Sequence, residues 1–88
     1  MAYQVSILPA ALRQISKLPR VVQERIQQRI DALREDPRPP GTKALVGRGS
    51  FYRLRVGDYR VIYEIRDEML TVLVVRVGHR REVYRSRP

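Results

Sequence analysis

No cysteine occurs among the 88 residues, so disulfides, thiol nucleophiles and cysteine-bound zinc are excluded. Histidine occurs once, at His79, with no second imidazole and no acidic cluster beside it in sequence, which argues against a metal site. Neither a metal nor another cofactor is expected. Long apolar runs are also missing: the longest, around Leu70 to Val75, is far short of the roughly 20 residues that a membrane helix needs. The N-terminus lacks the apolar core of a signal peptide, so a soluble cytoplasmic protein without a membrane partner is expected. Negative charge is scarce, with 9 Asp and Glu against 18 Lys and Arg, for a net charge of +9.

That excess attracts polyanions by counterion release and long-range steering, which makes nucleic acid the default partner. Sixteen of the cations are arginine, the side chain that grips phosphate through two parallel hydrogen bonds and stacks on bases. Hydrophobic residues make up 43% of the chain and are spread along it, as in a folded globule rather than a basic tail. A chain this short buries only about 60% of its unfolded surface, so one domain spanning 1–88 with a modest core is expected.

Tyr3, Val5 and Ile7 alternate with Gln4 and Ser6, the period of a half-buried strand. Pro9 suits a first helical position, and Leu12, Ile15 and Leu18 mark one face of a short helix ending near Pro19. Val22, Ile26, Ile30 and Leu33 then recur at helical spacing, up to a stop enforced by Pro37, Pro39, Pro40 and Gly41. Three strand-like runs follow, Phe51 to Val56, Tyr59 to Ile65 and Leu70 to Val77, separated by Gly57-Asp58 and by residues 66–69. The expected fold is α+β, an N-terminal strand and a helical hairpin packed on an antiparallel sheet.

A two-residue loop at Gly57-Asp58 fixes a register in which Val56 faces Tyr59, Arg55 faces Arg60, Leu54 faces Val61 and Tyr52 faces Tyr63. Tyr52, Leu54, Val56, Tyr59, Val61, Tyr63 and Ile65 then lie under the helices, with Arg53, Arg55 and Arg60 on the opposite side. Like charges facing each other across a strand pair are destabilising, and an anionic ligand removes that penalty. After the last strand, Gly78-His79-Arg80-Arg81-Glu82-Val83-Tyr84 brings an imidazole, two guanidinium groups and an aromatic ring together, a composition suited to phosphate and an unpaired base.

Phe51 to Tyr63 and Val77 to Tyr84, in this order within a small basic chain, resemble the RelE/ParE toxin superfamily over nearly the whole sequence. The resemblance is to its RelE-like members. It implies a toxin of a type II toxin–antitoxin system, a metal-independent endoribonuclease cutting messenger RNA in the ribosomal A site by attack of the ribose 2'-hydroxyl. A cognate RelB-like antitoxin would neutralise it, and operator DNA would be met only through that antitoxin.

The resemblance also gives catalytic roles to Arg53, Arg55, Arg60, Arg80 and Tyr84, and RNA contacts to these residues with Arg76 and Arg81. Arg60 would stabilise charge on the scissile phosphate, Arg80 would assist at the phosphate or the leaving oxygen, and Tyr84 would stack on or orient the nucleotide. Arg53 and Arg55 stand where the best-known member has lysines, and arginine does not lose its proton at ordinary pH, so their part is electrostatic. His79 is then the first candidate for a general base, because imidazoles as a class titrate near neutral pH. Glu64 is the second, and a mechanism without any side-chain base is the alternative. Two other functions stay open, a ParE-like gyrase inhibitor and a non-catalytic RNA- or ribosome-binding module.

Overall fold

The computed structural model describes residues 2–47 and 49–81. Strand β1 (Gln4–Ile7) runs into an extended Leu8, and Pro9 opens helix α1 (Pro9–Ser16), where its missing N–H leaves no intrahelical bond unmade. The turn Lys17-Leu18-Pro19 leads to helix α2 (Arg20–Ala32), and the Gln23 amide donates to the Leu18 carbonyl at 2.8 Å, tying the turn to the second helix. On α2 and just beyond it, Ile26, Ile30 and Leu33 are fully buried and Val22 packs beside them, as their spacing predicts. On α1 the inward side differs from expectation. Ala11 and Ile15 are buried and Leu18 joins them, while Leu12 is 50% exposed, because the helix turns its 11, 15, 18 stripe inward.

Four further strands complete the sheet: β2 (Thr42–Ala44), β3 (Phe51–Val56), β4 (Tyr59–Arg66) and β5 (Thr71–His79). Their order is β1-β5-β4-β3-β2. The β3–β4 register is the expected one, with Val56 opposite Tyr59, Arg55 opposite Arg60, Leu54 opposite Val61 and Tyr52 opposite Tyr63. Gly57 has φ +59 and is the only residue of its two-residue loop in the left-handed region, as the hairpin turn with glycine first requires. The sheet is not antiparallel throughout: β1 joins β5 in parallel, with Val5 beside Val72 and Ile7 beside Val74. The long connection that a parallel pair needs runs through the helical hairpin and then β2, β3 and β4.

Helix α1 lies over β5 and α2 over β3. Between helices and sheet sit Leu54, Val56, Val61, Tyr63, Ile65, Val72, Val74 and Val77, all buried. Val72, Val74 and Val77 do not share one unbroken alternation. A bulge in β5 reconciles them: Ile62 pairs with Arg76 and Tyr63 with Val74, leaving Val75 as the extra residue. Without it, Arg76 would point under the helices, where an uncompensated charge costs several kcal/mol. Past the end of β1, the backbone N–H of Val77 donates to Oε1 of Gln14 at 2.7 Å, so a side chain of α1 serves the β5 edge where the neighbouring strand has stopped.

The proline-rich loop after α2 is held from the sheet. Tyr63 donates its hydroxyl to the Pro37 carbonyl at 2.7 Å, and burial pushes its phenol pKa up. Arg38 grips both carboxylate oxygens of Asp67, at 3.2 and 2.8 Å, donates to the Tyr52 hydroxyl at 3.2 Å and lies 5.0 Å from the Tyr52 ring centre. Tyr3 donates to the same Asp67 at 2.7 Å. This clasp fixes where the loop enters β2. Among the described residues no helix is long and apolar enough to cross a membrane.

Candidate nucleic-acid interface

The side of the sheet away from the helices is built by strand parity. On β3 and β4 the residues alternating with the core are Phe51, Arg53, Arg55, Arg60, Ile62, Glu64 and Arg66. They form rows across the sheet. One row runs Lys43, Arg53, Ile62, Arg76 from β2 to β5, and the next sets Arg55 against Arg60 and Arg60 against Gly78. Arg53, Arg60 and Arg76 are half-buried and Arg55 is exposed. Ile62 is buried although no helix covers it, and it is flanked in register by arginines whose aliphatic stems suit such a role.

Arg60 is positioned by its own hairpin. Its Nη1 donates to the Gly57 carbonyl at 3.0 Å and to the Tyr59 carbonyl at 2.9 Å, which orients the guanidinium at the end of the sheet. Its register partner on the β5 side, Gly78, carries no side chain. Arg80 is exposed, and its backbone N–H donates to the Asp58 carbonyl at 2.8 Å, extending the β4–β5 ladder past its last strand pair. Arg81 is exposed as well. The arrangement gathers Arg53, Arg55, Arg60 and Arg76 on one face, with Arg80 at its end. Tyr84 lies outside the described residues.

His79 does not join them. The β5 bulge puts Val77 into the core, and His79, two residues on, shares that parity. It pairs with Tyr59, the rings meeting edge to face at 5.8 Å, and its Nδ1 accepts the Arg81 backbone N–H at 3.3 Å. Chain proximity to Arg80 suggested a shared site, whereas alternation separates them. Glu64 does lie on the arginine face, yet its Oε2 accepts from Ser50 at 3.2 Å and its Oε1 from Arg66 at 3.2 Å. Four residues along β4 also put it roughly 13 Å from Arg60.

Lys43 is a cation on this face that the sequence did not reveal. It belongs to a strand of three residues inside a Pro- and Gly-rich stretch, below the length at which alternation can be recognised. Among the described residues no three His, Asp or Glu side chains are grouped so as to hold a metal ion.

Comparison with known proteins matches residues 5–84 to the family model of the ParE toxin of the type II toxin–antitoxin system parDE. The toxin RelG of Mycobacterium tuberculosis is 33% identical over 86 residues, covering 97% of this chain and 99% of that protein. The mRNA interferase toxin RelE of Escherichia coli K12 is 35% identical over 88 residues, covering 96% and 92% of the two chains. Among solved structures, the toxin–antitoxin complex RelBE2 of M. tuberculosis superimposes with a TM-score of 0.79 at 30% identity, over 90% of this chain and 99% of that one. The archaeal RelE–RelB complex of Pyrococcus horikoshii gives 0.81 at 29% identity, over 91% and 97%.

Proposed function

The chain belongs to the RelE/ParE toxin family as a RelE-like toxin, and from that premise we propose that it is a metal-independent endoribonuclease cutting messenger RNA in the ribosomal A site. The observation that carries this reading is the gathering of arginines on one sheet face, with Arg55 opposite Arg60 and Arg53 and Arg76 in the neighbouring row, a placement suited to phosphate. In the reaction the 2'-oxygen attacks the adjacent phosphorus, the bond from phosphorus to the 5'-oxygen breaks, and a 2',3'-cyclic phosphate and a 5'-hydroxyl result. The 2'-hydroxyl gives up its proton as the leaving oxygen takes one. Negative charge builds on the phosphoryl oxygens meanwhile, and Arg60 and Arg80, with Arg53 and Arg55 behind them, favour that state over the ground state. Arg76 and Arg81 extend the RNA contact, and Tyr84 is assigned base stacking by resemblance.

The E. coli relative is named an mRNA interferase, and two of the structural neighbours are complexes with RelB antitoxins, which supports a cognate RelB-like antitoxin for this chain too. Action on messenger RNA at the ribosome would be cytoplasmic. The discriminating experiment incubates the protein with translating ribosomes and maps new RNA ends carrying 5'-hydroxyls. Such ends, absent with Arg60→Ala, are the expected result. Inhibition of gyrase supercoiling without new RNA ends would instead identify a ParE-like inhibitor. Ribosome binding without either activity would leave a binding module.

A further inference from the structure

Strand β2 is the outermost strand of the sheet on the side away from β1, and its alternation is set by its partners. Thr42 faces Leu54 and its hydroxyl lies 3.3 Å from that of the buried Tyr63, so Thr42 points under the helices. Lys43 therefore falls on the opposite side, directly across from Arg53, and it is exposed. The open face thus carries two like-charge cross-strand pairs in neighbouring rows, Arg55–Arg60 and Lys43–Arg53. A single phosphate seated at Arg60 reaches one of these pairs, and an extended polyanion reaches both.

We infer that Lys43 is a further substrate-binding residue, holding a backbone phosphate beyond the scissile one, so that the RNA strand crosses the sheet from β5 toward β2. The inference rests on the RNA reading proposed above. Lysine is a compact point charge without the planar fork of arginine, so this contact adds affinity without choosing a base. Neighbouring strands lie about 4.8 Å apart, so β2 stands roughly 10 Å from the Arg60 strand, a span suited to a chain of phosphates. A lysine on an edge strand also discourages edge-to-edge pairing between copies, a role the experiment separates from RNA binding.

The test measures binding of the full chain to a 2'-O-methyl single-stranded RNA, which cannot be cleaved by 2'-hydroxyl attack, over a range of salt concentrations. Lys43→Gln is compared with Lys43→Arg and with Lys17→Gln, which removes the same charge from the exposed end of α1. Lys43→Gln should weaken binding several-fold and reduce the slope of log affinity against log salt by about 0.7, one phosphate's share for a single strand. Lys43→Arg should keep the parent slope, and so should Lys17→Gln. Equal slopes for the two glutamine variants overturn the assignment, and self-association of Lys43→Gln at an unchanged slope assigns the residue to edge protection. A parent whose binding does not weaken with salt removes the RNA reading itself.

Discussion

The two faces of one sheet obey different rules. Under the helices every large side chain satisfies folding: Leu54, Val61 and Tyr63 are fully buried, and the Tyr63 hydroxyl has a carbonyl to bond. On the other face, strands of the same register set Arg55 against Arg60 and Lys43 against Arg53. Apolar burial is worth about 25 cal/mol per Å², so the first face stabilises the protein enough to tolerate the repulsion on the second. That contrast is what makes the arginine face the candidate for the phosphate contacts proposed above.

The sharpest way to break the comparison is Arg60→Ala. If the open face serves the phosphate, cleavage should fall by two to three powers of ten, the loss of about 2.7 to 4 kcal/mol of transition-state stabilisation. Stability should move little, within about 0.5 kcal/mol, because relief of the Arg55 repulsion opposes the loss of two carbonyl contacts at Gly57 and Tyr59. Single-turnover cleavage and a urea midpoint read the two effects. A large stability loss with cleavage preserved in the surviving folded fraction would reverse the assignment of the two faces.

A smaller effect sharpens the helix side. Hydrogen bonds from Arg38 and then Tyr3 hold the Asp67 carboxyl below the usual carboxylate range, while the bond to Asp67 raises the Tyr3 phenol above its ordinary value. The depressed carboxyl contributes stability that is complete above its unfolded pKa and is lost as pH falls through the folded one. The raised phenol works in the opposite sense, contributing below its unfolded pKa near 10 and losing that contribution as pH climbs through the folded value. Asp67→Asn should therefore flatten the thermal midpoint profile at both ends, in acid and above about pH 10. A profile that keeps both slopes would show that the clasp does not hold the loop.

The faces differ in how far the sequence reveals them. The β3–β4 hairpin is legible because its determinants are local: Gly57-Asp58 sets the loop, and period-two alternation then assigns each side chain. The parallel β1–β5 pairing is not, since it joins residues some 67 positions apart, such as Val5 and Val72, that no local pattern connects. Three residues of β2 are too few to show a period, so Lys43 was hidden with them. The bulge at Val75 left a trace, the break of alternation in Val74-Val75-Arg76-Val77, and that break decides which side each residue after it occupies. His79 was grouped with the arginines by its place in the chain, which a bulge can override.

The smallest expected effect therefore belongs to His79→Gln. A general base must come within hydrogen-bond reach of the 2'-hydroxyl, directly or through one water, and that hydroxyl must lie where Arg60 meets the phosphate. His79 stands on the other side of the sheet, its ring against Tyr59 and its Nδ1 accepting from Arg81, and Glu64, on the correct side, has both oxygens engaged by Ser50 and Arg66. Arginine cannot take the proton. Among the described residues considered as bases, then, none is placed to take the proton, and on the proposed reading charge and positioning would carry the rate. Cleavage by His79→Gln should stay within about threefold of the parent, with an unchanged pH profile, and loss of the edge-to-face pair should cost about 0.5 to 1.5 kcal/mol of stability. A fall of two or more powers of ten with RNA binding retained would mean that the turn after β5 swings the imidazole around the sheet edge when substrate binds. It would make the separation of the two faces a property of the ligand-free protein alone.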